Sequence, residues 1–187
     1  MTQKLSQKKV VSPDLLFSSI DPLRLMAQLP IQSHHILADF QCGDGHFTIP
    51  IAKHLFGGTV YASDPLHKNL KDLREKVVRS RLGNLVIQTE NQRSKNIPKK
   101  SLDGIFLPFL LHSTNERKDL LAKTLKLIKK GGWVGILEWF DRKTLDGPPV
   151  SERIGIDEIV RLGQEVGFSF PIKRILDDQH YVVILRN

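Results

Sequence analysis

A chain of 187 residues has room for one substantial core but not for two full domains, and 40% hydrophobic with 26% charged residues is the composition of a soluble globular protein. The single cysteine, Cys42, excludes an intramolecular disulfide and any thiolate metal cluster, and no apolar run approaches the roughly 20 residues that span a bilayer. A formal net charge of +8 favours anionic partners, nucleic acid among them, although basic residues spread over 68–81, 93–100 and 117–130 also describe the solvated faces of helices.

Residues 1–12 read as a flexible arm without the apolar centre of a secretory signal, which leaves a cytoplasmic location as the expectation, and Pro13 with Asp14 starts the ordered part. Asp21 before Pro22 is an N-cap followed by proline at the first helical position, so a short helix is expected over 22–29. His34 and His35, adjacent in an extended segment, would point to opposite faces, which argues against both holding one metal. No metal site is expected.

Residues 34–50, HHILADFQCGDGHFTIP, organise the chain. Ile36, Leu37, Ala38 and Phe40 read as a buried strand, Gly43 and Gly45 permit a tight turn, and helical spacing follows over 47–55. A strand, a glycine turn and a helix is how an α/β sheet offers backbone N–H groups to a nucleotide-like ligand. Cys42, with no basic partner nearby in sequence, reads as a small packing residue and not as a nucleophile.

Gly57 and Gly58 close that helix, and a second strand is expected over 59–63 with Asp64 at its tip. A helix over 66–81, a strand over 85–88 and a polar loop over 89–100 carrying Glu90 and Asn91 follow. The apolar run 102–111 is a fourth strand whose end Pro108 marks, because proline cannot donate to a ladder. Ser113 and Glu116 have capping-box spacing for a helix over 115–130 that would end at Gly131 and Gly132 with lysines in its last turn. A buried strand over 133–140 leads to a loop over 141–153, long enough to carry function. After a helix over 157–166 closed by Gly167, strands over 168–176 and 180–185 are joined only by Asp177, Asp178 and Gln179. So short a connection forces an antiparallel hairpin, and the fold expected is an α/β, Rossmann-like, doubly wound, mostly parallel sheet with a reversed C-terminal strand.

The glycine turn alone does not name the ligand. A dinucleotide fingerprint wants three glycines, and Thr48 stands where the third would be. The acid at the next strand tip, Asp64, is shared by nicotinamide, flavin and S-adenosylmethionine sites.

Asp39 to Gly45, DFQCGDG, resembles the first motif of class I S-adenosylmethionine-dependent methyltransferases. The order of further motifs is similar too: VYASDP at 60–65, SLDGIFLPFLLHS at 101–113, LIKKGGW at 127–133 and the terminal hairpin. LEWF at 137–140 followed by GPPVSERI at 147–154 looks like the small stand-alone branch related to quinone-biosynthesis-type methyltransferases. The resemblance implies the seven-stranded class I methyltransferase fold, with S-adenosylmethionine as methyl donor and S-adenosylhomocysteine as product. It also implies roles. Asp39 would orient the turn or receive the cofactor's amino group, the backbone of Gly43 and Gly45 would lie against the methionine part, and Asp64 would accept the ribose hydroxyls beside its local capping of the helix after Pro65. Glu90 or Asn91 would take the adenine amino group, Leu66 would cover the ring, and Cys42 and Leu107 would complete the walls. One departure stands out, since the family has glycine where this chain has Gln41. That side chain either bends away or bonds the cofactor's carboxylate, or it narrows the pocket and weakens cofactor binding.

Methyl transfer from a sulfonium is an in-line displacement in which positioning and exclusion of water supply most of the rate, so no obligatory base can be read from sequence. His112 is the best titratable candidate for taking a proton from an acceptor hydroxyl or amine, with a hydrogen-bonded structural histidine as the alternative. Glu138 and Trp139 would shape the acceptor pocket, Trp139 equally serving as core. Leu107-Pro108-Phe109 lacks the polar group of nucleic-acid N-methyltransferases, and arsenic chemistry would need more cysteines. A small or hydrophobic acceptor is the expectation. An RNA-directed enzyme or RNA-binding protein, suggested by the charge, and a non-catalytic homologue weakened by Gln41 are the alternatives. Oligomeric state is left open.

Overall fold

The computed structural model describes residues 20–89 and 96–187. The arm, its junction at Pro13 and Asp14, and the loop residues Glu90 and Asn91 lie outside them. Seven strands form one sheet in the order β3-β2-β1-β4-β5-β7-β6. They are β1 (Ile36–Phe40), β2 (Thr59–Asp64), β3 (Leu85–Thr89), β4 (Leu102–Pro108), β5 (Ile128–Trp139), β6 (Ser169–Ile175) and β7 (His180–Arg186). The first five run parallel, and β7 is antiparallel to both of its neighbours, β5 and β6. The reversed strand is therefore the last in sequence but lies inside the sheet, with β6 at the edge.

Helices α1 (Pro22–Met26), α2 (Thr48–His54) and α3 (His67–Arg79) cover one face, and α4 (Arg117–Leu127) and α5 (Ile156–Val166) cover the other. Neighbouring residues of β1 serve opposite sides, Leu37 packing with Leu25, Ile51 and Leu55, and Ala38 with Leu121, Leu127 and Ile159. Burial on both faces is why β4 and β5 read as continuous apolar runs instead of alternating ones. No described helix is long and apolar enough to cross a membrane.

Local chemistry sets the ends. Asp21 Oδ1 accepts the Leu23 N–H at 2.9 Å, as expected of the cap before Pro22, although α1 stops at Met26. Gly167, at φ 107, closes α5 in the left-handed conformation. β4 ends at Pro108 as expected, and Phe109 beyond it takes φ 53.

Two expectations around α4 are corrected. Ser113 and Glu116 do not form a capping box: the Ser113 hydroxyl donates to Leu110 O at 2.9 Å, while the Glu116 N–H donates to Thr114 Oγ1 at 3.1 Å and no side chain caps the helix at Glu116. Gly131 and Gly132 do not end the helix either. It stops at Leu127 because Ile128 already pairs with Leu102, and the glycines lie within β5, where the register with β4 shifts and Gly131 takes φ 79.

Candidate functional site

The turn after β1 is fastened to the tip of β2. The N–H groups of Gln41 and Cys42 both donate to Ser63 O, at 2.8 and 3.0 Å. Gly45, at φ 95, takes a conformation that favours glycine, and a Cβ there would also lie 2.5 Å from Leu73 Cδ1 on α3, which would have to shift. Gln41, at φ 77, occupies the left-handed region that glycine favours, so the departure noted in the sequence is also a strained backbone position.

Asp64 is buried and engaged on both oxygens. Oδ2 accepts the Gly43 N–H at 2.9 Å, and Oδ1 accepts the Leu66 N–H at 2.9 Å and Asn69 Nδ2 at 3.0 Å. The local capping role is therefore present, and the acid also holds the glycine turn. A carboxylate has about four acceptor sites, so one on Oδ2 is left for a further donor.

Asp39, at the tip of β1, is buried as well. Its Oδ2 accepts the Thr48 hydroxyl at 2.6 Å and its Oδ1 has no partner. Burial pushes the carboxyl up to about 7; the Thr48 bond opposes the rise and the charge of Asp64 adds to it. Cys42 packs among Ala62, Leu70 and Leu73, its thiol pushed well up by burial and then by Asp39 and Asp64, which makes it an inert packing residue.

A cleft of about 310 Å³ opens where Gln41 and Pro65 face Leu110, Ser113, Glu116 and Lys123. It lies at the carboxyl ends of β1 and β4, where the strand order reverses, the place at which open α/β sheets bind ligands. A larger hollow, about 440 Å³ beside Phe56, Arg81 and Asn84, lies towards the opposite ends of the strands. Pro65 is in the cleft wall and Leu66 is exposed beside it, whereas the Leu107 side chain is buried in the core and does not line the cleft.

His112 lies between two residues of the cleft wall, Leu110 and Ser113, but its imidazole turns to β5. Nδ1 is 2.7 Å from Glu138 Oε2, and the His112 N–H donates to Oε1 at 3.0 Å. This pairing escaped the sequence, which named both residues but could not join them. Trp139 is core, its ring 4.1 Å from that of His180 and 5.6 Å from that of Phe109. Burial holds His180 below the ordinary histidine range despite the opposing pull of Asp177.

The loop over 141–153 is gathered around Arg153, which nothing in the sequence singled out. Its guanidinium donates to the carbonyls of Pro148, Phe140, Arg142 and Asp146 at 2.9, 2.8, 2.7 and 3.1 Å and lies 5.4 Å from the Trp139 ring centroid. Among the described residues no group of three acidic, histidine or cysteine side chains could hold a metal ion.

A methyltransferase domain family profile matches residues 38–134, from the middle of β1 into β5. The chain belongs to this methyltransferase family. The match takes in the glycine turn, Asp64 and His112. Several solved methyltransferases have similar folds. A SAM-dependent methyltransferase from Aquifex aeolicus is 21% identical, with 95% of this chain and 94% of that one covered at a TM-score of 0.82. An S-adenosylmethionine-dependent methyltransferase from Mesorhizobium loti is 16% identical over 87% of this chain and 95% of that one, TM-score 0.68. Phosphoethanolamine N-methyltransferase 2 of Haemonchus contortus, in complex with S-adenosyl-L-methionine, is 14% identical over 88% of this chain and 51% of that one, TM-score 0.71. At these identities the likeness concerns the fold, which is the class I methyltransferase fold. No curated protein matches the sequence significantly.

Proposed function

We propose that this methyltransferase transfers a methyl group from S-adenosylmethionine to a small acceptor by in-line displacement, releasing S-adenosylhomocysteine. The observation that carries the reading is the unpartnered, buried Oδ1 of Asp39 beside a glycine turn at the point where the strand order reverses. A buried carboxylate with one oxygen unpartnered is costly, and a cationic amino group is the ligand feature that relieves it. Asp39 would hold the cofactor's amino group, the backbone of Gly43 and Gly45 its methionine part, and the remaining acceptor site of Asp64 a ribose hydroxyl. Leu66, exposed beside Pro65, would cover the adenine ring. Glu90 or Asn91 would meet the adenine amino group.

The cofactor, when bound, supplies an electrophilic methyl group on a sulfonium. The chain's residues orient the acceptor, exclude water and remove a proton where one must leave, with His112 the candidate for that last task. A cleft of about 310 Å³ beside the glycine turn is of small-molecule size. Titration calorimetry with S-adenosylmethionine and S-adenosylhomocysteine tests the reading. Saturable binding of both is expected, and the absence of binding at millimolar concentrations overturns it.

A further inference from the structure

We propose that His112 accepts, through Nε2, the proton of a hydroxyl group on the acceptor, and that Glu138 is the positioning residue that fixes the imidazole in the tautomer able to do so. The proposal rests on the methyltransferase reading above and names the acceptor class.

The geometry singles out one ring nitrogen. Both Glu138 oxygens are spent on the same residue, Oε1 on the His112 N–H at 3.0 Å and Oε2 on Nδ1 at 2.7 Å. A backbone N–H can only donate, so Oε1 is an acceptor here. With Oε2 accepting as well, Nδ1 carries the hydrogen of the pair and the lone pair is left on Nε2. Fastening residue 112 in place needs only the backbone bond; the second bond specifies a tautomer. The Glu138 side chain is 1% exposed and that of His112 is 15% exposed, so the carboxylate is anchored inside while the histidine keeps some surface. The ring of Phe109 meets the imidazole edge to face, with centroids 6.5 Å apart. Leu110 and Ser113, on either side of His112, line the cleft where the strand order reverses.

A fixed base discriminates among acceptors. A neutral amine attacks with a lone pair it already has and can lose its proton afterwards, and a thiol with a pKa near 8.5 supplies thiolate unaided. A phenol or alcohol oxygen is protonated at neutral pH, the phenolic pKa being about 10, and is the nucleophile that gains most from a base. In the step, the acceptor O–H bond breaks and its proton passes to Nε2. The acceptor oxygen forms its bond to the methyl carbon as the S–CH3 bond breaks, and that electron pair stays on sulfur, leaving a neutral thioether. The imidazolium then returns the proton to water.

The test uses the full chain. Nitrogen-15 NMR in mildly alkaline buffer is expected to show Nδ1 protonated and Nε2 bare in the wild type. In Glu138→Gln the carboxamide oxygen keeps the backbone N–H and its NH2 faces Nδ1, so the tautomer inverts. With S-adenosylmethionine and a panel of small phenols, alcohols, amines and thiols, mass spectrometry is expected to find O-methyl products. Their rate should fall about 100-fold or more in Glu138→Gln and in His112→Gln, with cofactor affinity retained in Glu138→Gln. A protonated Nε2 in the wild type overturns the proposal, as does O-methylation at the wild-type rate in an inverted tautomer. Products confined to amines or thiols, or no O-methyl product from the panel, overturn the hydroxyl assignment. Failure of the wild type to bind cofactor overturns the methyltransferase reading and this proposal with it, whereas bound cofactor with a protonated Nε2 overturns this proposal alone.

Discussion

Asp64 Oδ2 accepts the backbone N–H of Gly43 at 2.9 Å, so the acid at the tip of β2 holds the glycine turn that follows β1. Its other oxygen, bonded to Leu66 N–H and Asn69, holds the start of α3. Asp64→Ala therefore strips the acceptor from three donors around a buried position, and a loss of about 3 kcal/mol in urea unfolding is expected. Loss of cofactor binding in that variant would not by itself show a ribose contact. Asp64→Asn keeps one acceptor oxygen and should lose about half as much stability, making it the better probe. Wild-type stability in Asp64→Ala would show that these bonds do not hold the turn.

Gln41 at φ 77 costs the fold what a left-handed non-glycine residue costs, roughly 1 kcal/mol, part of which glycine gives back through the unfolded chain's freedom. Gln41→Gly is expected to raise stability by up to about 1 kcal/mol and, by clearing one wall of the cleft, to tighten cofactor binding in calorimetry. Weaker binding in Gln41→Gly would mean that the amide bonds the cofactor.

Asp39 sets a pH dependence. Its folded-state pKa is raised to about 7, above the ordinary carboxylate value, by burial first, with Thr48 opposing and Asp64 adding. Between those values the folded chain binds a proton that the unfolded chain has released, so this contribution to stability is full at acid pH and is lost as pH rises through about 7. Asp39→Asn should remove that loss, melting above the wild type in alkaline buffer with the gap closing towards acid pH. On the proposal that the ionised Asp39 carboxyl meets the cofactor's ammonium, cofactor binding should weaken as pH falls below about 7 and release a proton, measurable by calorimetry in two buffers of different ionisation enthalpy. An Asp39→Asn variant with an unchanged pH profile of melting would remove the assignment.

Arg153 supports a whole loop by donating to four carbonyls. Lysine has the charge but not the planar fork, so Arg153→Lys should fail to replace it. Limited proteolysis is expected to cut after Arg142 or Lys143 several times faster in Arg153→Lys, while the global unfolding midpoint moves by only a few degrees. Equal cleavage rates would show that the loop is held by other contacts.

The succession of strands along the chain was legible because buried parallel strands read as apolar runs and the breaks between them carry glycine or proline, as at Gly43, Gly57 and Pro108. The hairpin followed from a connection too short for anything else. The end of α4 was not legible: LKLIKKGG has helical composition and a glycine stop, and only the pairing of Ile128 with Leu102, a long-range contact, overrides it. The same blindness to distance hid the site's partnerships. His112, in the turn after β4, and Glu138, near the end of β5, are 26 positions apart, and the bond joining Asp64 to Gly43 spans 21. Gln41 was visible as a departure from glycine, but its cost is a dihedral angle.

The placement of β7 between β5 and β6 bears on assembly. When β6 leaves the ribosome its eventual ladder partner has not been made, and β5 presents an unpaired edge. The edge can be closed only by a later segment, most simply as a β6–β7 hairpin that forms through its four-residue connection and docks as a unit. Until then the longest strand of the sheet is an aggregation-prone template, which makes the docking of that hairpin the step a chaperone would have most reason to protect.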